Sequence, residues 1–329
     1  MIKTAVGKGR LNKPADVVVI QLLLNKVLPT ISPAKSFSKL KVDGISSSRL
    51  EKAIEQYQQL KKLKYLDGWI GTKGTTLKSL LADAKLTSVI TRANFVRNQF
   101  QVKTAKPVLG SISISSLVSL YEKEYGTLLS NNRAGLKSIL TTAKQDKDIQ
   151  SVAEFAYMLA TVKHETASTF RAIEEYGKGA GRAYGKEVTV INPLTKKSVN
   201  NKYYGRGYVQ LTWGYNYQRL DHYLGYGSYP NRFKTKVADY NKGYTISSPA
   251  KSVYLNPEQA LKSDIAYKCM IWGMQGGHFT GAKVSRFIKS SSVDYYNARK
   301  VINGLDKAHV IAGYAEDFEI LLLTASQNI

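Results

Sequence analysis

The chain has 329 residues, 43% of them hydrophobic, with 48 Lys and Arg against 24 Asp and Glu for a formal charge of +24. That length suits about two domains, and that apolar content excludes intrinsic disorder. The single cysteine, Cys269, excludes a disulfide framework, and the longest apolar run, Val17 to Leu24, is broken by Gln21 and too short to span a membrane.

The basic first ten residues have no apolar segment behind them, so no signal peptide is expected. Charge is spread along the chain. Residues 1–90 carry 16 basic and 6 acidic side chains, residues 91–150 carry 9 and 4, and residues 151–329 carry 23 and 14. A positive field over the whole body favours a polyanionic partner, either nucleic acid, an anionic membrane or a bacterial envelope. A solvated lysine-rich surface is the plain alternative.

Ala15 to Leu28 reads as a helix, with Val17, Ile20, Leu24 and Leu28 near one face. Leu50 to Leu63 is a second, with Ala53, Ile54, Tyr57 and Leu60 at helical spacing, and Thr75 to Leu81 a third. Asp43-Gly44 precedes the second helix and Asp67-Gly68 the third, a twofold echo of tight turns. These stretches (DVVVIQLLLN, KVDG, LDGWIG and TTLKSL) resemble the three-helix peptidoglycan-binding module of wall hydrolases. The motif residues Gln21, Leu22, Asn25, Asp43, Gly44, Asp67 and Gly68 read as fold-makers, because turn and core roles already explain them. The module is assigned to residues 1–90.

Residues 91–127 read as a linker or connecting helical segment. Lys103 to Ser116 has linker-like Pro, Gly and Ser content, and Leu117 to Gly126 suits a short helix. Helical pattern resumes at Ala134 to Ala143 and Ile149 to Glu165. Of the 22 tyrosines, 18 lie beyond residue 150. Aromatic faces suit the apolar side of sugar rings, and equally a half-wet helical core.

The helix Val152–Glu165 carries Phe155, Leu159 and Val162 along one face and ends in His164-Glu165-Thr166. A carboxyl at the end of an apolar helix is expected to be partly desolvated, which suits a general acid. Glu174 and Glu175 follow nine and ten residues on. Glycoside hydrolysis needs two carboxyls, one protonating the leaving oxygen and one activating water. Solvated surface acids are the plain alternative. Residues 203–213 (YYGRGYVQLTW), with Asn216-Tyr217 behind them, are dense in side chains that bind sugar hydroxyls.

KHETASTF, EEYGKG, YYGRGYVQLTW, LNPEQAL, GMQGGHFTG and ARKVING together are similar to the bacterial and phage branch of glycoside hydrolase family 19, over roughly residues 130–325. The resemblance implies a mainly α-helical chain: the three-helix module plus a lysozyme-like catalytic domain over 128–329, with at most a small β-hairpin. It implies Glu165 as catalytic acid and Thr212 as a holder of the nucleophilic water. Tyr204, Arg206, Gln210, Asn216 and Asn303 match cleft positions. Glu175 is the first choice for the second carboxylate, Glu174 the second and Glu187 the third. The expected activity is that of a phage endolysin, a muramidase cutting the β-1,4 backbone of peptidoglycan. Inversion is expected, with carboxyls about 6.5–9.5 Å apart rather than about 5 Å. Glucosaminidase, chitinase-type or lytic transglycosylase specificity, and a non-catalytic wall-binding protein, are the alternatives.

A monomer without cofactor or metal is expected. The four histidines (His164, His222, His278 and His309) lack zinc-site spacing, and Cys269 lies in an apolar run as a packing residue. Peptidoglycan is the expected partner, with electrostatic contact to an anionic outer membrane and no specific nucleic acid. Lys196-Lys197 and Lys61-Lys62-Lys64 lack interleaved aromatics and read as solvated faces. An enzyme of this kind waits in the host cytoplasm until a separate pore releases it to the wall.

Overall fold

The computed structural model describes residues 1–32, 37–86, 90–100, 105–228, 244–289 and 292–326, with the backbone alone at 105–107. The chain is mainly α-helical, and its contacts divide it into two compact units. Unit 1 comprises Met1–Leu128, Ala143–Ala156 and Gly313–Ile329; unit 2 comprises Leu129–Thr142 and Tyr157–Ala312. Boundaries at 90 and 127 follow composition, whereas these units follow packing, which returns the C-terminal segment to unit 1.

In unit 1, β1 (Val6–Gly7) is followed by α1 (Pro14–Ile31), α2 (Ser48–Leu60), β2 (Trp69–Ile70) and α3 (Thr75–Asp83). Pro14 opens α1, where its missing N–H costs nothing. Ser47 caps α2 by accepting from the Leu50 amide. At 18 residues and mean hydropathy 1.4, α1 is long and apolar enough to cross a membrane, contrary to the sequence reading. That hydropathy belongs to a core helix: 67% of it is buried, packed by α2 and α3.

The twofold echo is a duplicated lock. Gln21 Nε2 donates to Asp43 Oδ1 (2.9 Å) while its Oε1 accepts from the Asp43 and Gly44 amides. Gln58 repeats this on Asp67 Oδ1 (2.7 Å) and the Gly68 amide (3.1 Å). Gly44 and Gly68 both sit at positive φ, +70° and +69°. Each glutamine lies on the helix immediately before the turn it closes.

The 103–116 stretch is not a linker where it is described. After α4 (Arg92–Phe100), residues Ala105–Ser111 form α5 and Ile114–Tyr125 form α6. Pro107 lies in the first turn of α5, where proline is tolerated. Ser113 caps α6 through the Ser116 amide. Residues 103 and 104 lie outside the described residues. A charged network closes this unit. Arg92 is buried between Asp16 (2.7 Å) and Asp317, and Lys3 also reaches Asp317 (3.1 Å).

Two long helices follow, α7 (Ser130–Gln145) and α8 (Val152–Glu165). Unit 2 then runs through β3 (Ile173–Glu174), β4 (Glu187–Ile191), β5 (Ser198–Lys202), β6 (Arg206–Gly207) and α9 (Gly214–Tyr223). After these come β7 (Gly227–Ser228), β8 (Thr245–Ile246), α10 (Ser263–Gly276), α11 (Tyr295–Ala298) and α12 (Ala308–Ala325), whose last part belongs to unit 1. β4–β5 is a hairpin of five-residue strands, and β1–β2, β3–β6 and β7–β8 are two-residue ladders. Within residues 128–329 the expectation of at most a small hairpin therefore falls short by two short ladders, β3–β6 and β7–β8. Two residues carry no period-two pattern for a sequence to display. Asp221 on α9 is fully buried and accepts from Ser252, Tyr244 and the Val253 amide, which ties the 252–254 turn to the helix.

Candidate active site

The body of α8 is buried all round, Tyr157 and Met158 as fully as Phe155, Leu159 and Val162. Its end brings His164 and Glu165 out to half-burial. The Glu165 side chain is 17% exposed, and its Oε1 accepts from Arg299 Nη1 at 2.7 Å. Among the described residues, Oε2 of Glu165 has no hydrogen-bond partner. Arg299 is itself buried and held by Nε donating to the Asp306 carbonyl (3.1 Å). It thus fixes the direction of the carboxyl rather than sweeping past it. Burial pulls His164 below the usual histidine range, which favours the neutral imidazole. Burial also pushes the nearby Tyr157 phenol well above its ordinary range and keeps it protonated.

The turn after Glu165 is backbone-strained. Ala167, Ser168 and Phe170 all take left-handed φ, +49°, +64° and +55°. Thr166 fastens it, donating to the Val162 carbonyl (2.7 Å) and accepting from the Phe170 amide (3.1 Å). A Cβ at Gly135 would lie 2.4 Å from the Phe170 carbonyl, so the glycine makes room for the turn. Such strain persists only where the surroundings enforce it, and it concentrates at functional sites.

Glu174 and Glu175 form the second cluster. Antiparallel pairing places Glu174 opposite Arg206 and Ile173 opposite Gly207. Glu174 Oε1 accepts from the Tyr204 hydroxyl (2.7 Å) and Arg206 Nε (3.3 Å), and Lys178 stands 3.3 Å from Oε2. The Tyr204 hydrogen bond, with Lys178 and Arg206, holds the Glu174 carboxyl below the usual range despite burial. Among the described residues Glu175 has only neutral partners, the Tyr184 hydroxyl on Oε1 (3.0 Å) and the Gly205 amide on Oε2 (3.1 Å). Tyr184 is returned to Glu175 by a loop closed backbone to backbone, in which a Cβ on Gly185 would lie 2.0 Å from the Gly179 carbonyl.

The cleft residues expected from the sequence are placed unequally. Arg206 is buried, stacked over Tyr204 at 3.8 Å and bonded to the Tyr217 hydroxyl. Tyr204 is buried too, so both address Glu174 directly. Gln210, at φ +54°, spends its amide on the Ile173 and Gly207 carbonyls. Asn216 is buried, donates to the Thr212 carbonyl (2.9 Å), and leaves its Oδ1 without a partner. The Thr212 hydroxyl has no partner among the described residues. Asn303 is exposed, four residues beyond Arg299, and its Oδ1 accepts from the Gly304 amide. Glu187 lies at the foot of β4, exposed and 3.5 Å from Lys202.

Thus Glu165 and Arg299 form one group, and Glu174, Glu175, Tyr204, Arg206 and Gln210 another. Sequence reasoning missed Arg299 and Tyr184. Arg299 lies inside the ARKVING block and was legible as a charged residue in it; Tyr184, in a loop without periodicity, carried no signal.

Cys269 is buried, and burial pushes its thiol up to about 12, which makes it an inert packing residue. His278 stacks on Trp272 at 4.4 Å beside Arg219. Among the described residues no group of three or more His, Cys, Asp or Glu side chains could hold a metal ion. Comparison with protein-family models, with curated proteins and with solved structures finds no match for the chain.

Proposed function

We propose that the chain is a peptidoglycan glycosidase of the modular endolysin type, with residues 1–90 as its wall-binding module and unit 2 as its catalytic part. One observation carries the reading. Short blocks far apart in sequence meet around part-exposed carboxylates: Glu165 with Arg299, 134 residues on, and Glu174 and Glu175 with the Tyr204-Gly205-Arg206 strand. Strained backbone at Ala167, Ser168, Phe170, Gln210 and Trp213 lies in these same blocks.

In the proposed reaction the free Oε2 of Glu165 carries the proton and delivers it to the glycosidic oxygen as that bond breaks. Glu175 takes a proton from the attacking water as its oxygen bonds to the anomeric carbon. Glu175 is assigned this part because Arg206 and Lys178 already engage Glu174. The Thr212 hydroxyl helps to place the water. Configuration inverts, and the two carboxyls reset by proton exchange with solvent. Arg299 holds Oε1 of Glu165 at 2.7 Å, which leaves Oε2 to face the glycosidic oxygen. Proposed partners are peptidoglycan and an anionic envelope surface, and the proposed route to the wall is release from the host cytoplasm through a separate pore.

The test is mass analysis of reducing ends after digestion of purified peptidoglycan. Reducing MurNAc supports a muramidase, reducing GlcNAc a glucosaminidase and anhydro-MurNAc a lytic transglycosylase. Free peptide stems overturn the glycosidase reading.

A further inference from the structure

The β4–β5 hairpin has a base and a tip of opposite character. At the base, Asn201 Nδ2 donates to the Tyr254 and Leu255 carbonyls (3.1 and 2.8 Å), and Val190, opposite Val199 nearer the turn, is buried. The tip is solvent-facing and apolar. Ile191 is 62% exposed and Leu194 75%, and Val199 is exposed as well. Three of the twelve exposed large apolar side chains among the described residues fall on these nine positions.

This exposure is built. The Asn192 amide donates to the Lys197 carbonyl and the Lys196 amide to the Asn192 carbonyl, both at 2.9 Å. Asn192 Oδ1 accepts from the Leu194 and Thr195 amides (2.9 and 3.3 Å). Lys196 takes φ +58° to close the turn. The turn therefore holds Leu194 outward by fixed hydrogen bonds. Lys202 pairs with Glu187 at the base, whereas Lys196 and Lys197 make no ion pair among the described residues. An ordered apolar point with an unneutralised cationic collar results.

We infer that this hairpin tip docks into the headgroup region of an anionic lipid membrane, with Ile191, Leu194 and Val199 entering the acyl boundary and Lys196 and Lys197 engaging lipid phosphates. Exposed aliphatic side chains lose contact with water there, and lysines at the surface gain from the negative lipid potential. A glycan or single-stranded nucleic acid would call for aromatic faces at the tip, and positions 191–199 contain none. The inference goes beyond the glycosidase reading and does not depend on it.

The experiment is co-sedimentation of the full chain with vesicles of equal parts phosphatidylglycerol and phosphatidylcholine. All substituted positions are exposed, and circular dichroism checks the fold. Lys196→Gln with Lys197→Gln is expected to lower partitioning by about 25-fold, about fivefold for each lysine. Leu194→Ser lowers it by about tenfold. The same charge change at Lys52→Gln with Lys73→Gln stays within about twofold, because those exposed lysines belong to unit 1 and not to the hairpin. In a Leu194→Trp variant, the emission shifts to the blue when vesicles are added, relative to wild type. Absence of wild-type binding, an equal loss in the control pair, or no shift from the Leu194→Trp variant overturns the proposal. So does a result in which the hairpin variants lose purified peptidoglycan but keep vesicles, which would make the tip a glycan contact.

Discussion

Asp16 of unit 1 and the carboxylates Glu165 and Glu175 of unit 2 are treated in opposite ways. Asp16 in unit 1 accepts from the Lys3 and Thr4 amides, the Thr4 hydroxyl and Arg92, and Arg92 also reaches the buried Asp317. In unit 2, Glu165 keeps one oxygen without a hydrogen-bond partner, and Glu175 is held by one hydroxyl and one amide. A buried carboxylate ringed by donors organises a fold, because stripping any donor leaves a desolvated charge. A carboxylate held at one edge and open at the other keeps its orientation and can still exchange a proton. The contrast separates acids that build from acids that are candidates to react.

The sharpest way to break that contrast is Glu165→Gln. The expected loss in peptidoglycan hydrolysis is about three orders of magnitude, with the thermal midpoint preserved, in keeping with the size of general acid catalysis. Equal lysis of permeabilised cells by wild type and variant would put Glu165 among the structural acids.

Glu124 tests the opposite case. Burial, and then the charge of Asp317, push its carboxyl from 4.5 up to about 7. The folded protein therefore binds that proton more tightly than the unfolded chain. The stabilisation is fully present below about pH 4.5 and is lost as pH rises to about 7, by up to about 3 kcal/mol. Glu124→Gln keeps an acceptor for the Ala15 amide (3.0 Å) and is expected to remove this slope. Urea unfolding at the two ends of the window measures it, and parallel profiles for wild type and variant would refute the assignment.

Glu174 and Glu175 sharpen the comparison within unit 2. Glu175→Gln is expected to cost about a hundredfold in rate, or about 2.7 kcal/mol. Glu174→Gln, whose carboxylate is already neutralised by Arg206 and Lys178, is expected to cost about tenfold, through loosening of Tyr204 and Arg206. A reversed order in steady-state rates would make Glu174 the base. The smallest effect is expected at the second lock of unit 1. Gln58→Ala leaves the Gly68 amide and Asp67 without their partner and lowers stability by about 1–3 kcal/mol with no change in glycan cleavage per folded molecule.

Local signals were legible where one residue does one job. Asp43-Gly44 and Asp67-Gly68 announce turns, and both glycines take the left-handed backbone such turns need. The apolar face of α8 announces a buried helix that ends at Glu165. The Lys103–Ser116 stretch was left open between linker and connecting helix because proline and serine are helix starters as well as linker residues, and only their position relative to Ala105 and Ile114 separates the two roles. The burial of the expected cleft residues was not legible in the sequence. Arg206 and Asn216 are polar types that usually lie at a surface, yet here they are buried because each finds a specific partner.

Pairing across long separations was decided by tertiary structure alone. Nothing near Asp317 in sequence points to Lys3 or Arg92, and nothing near Glu165 points to Arg299. Composition determined the cationic surface, the absence of disulfides and, through helical periodicity, a mainly α-helical chain. Which lysines meet an acid, which acids keep a free oxygen, and why an apolar hairpin tip stands out in solvent depend on who packs beside whom. Hydrophobic period acts between neighbours a few residues apart, whereas charge satisfaction acts between groups a few ångströms apart. Only the folded chain brings the second kind of neighbour together.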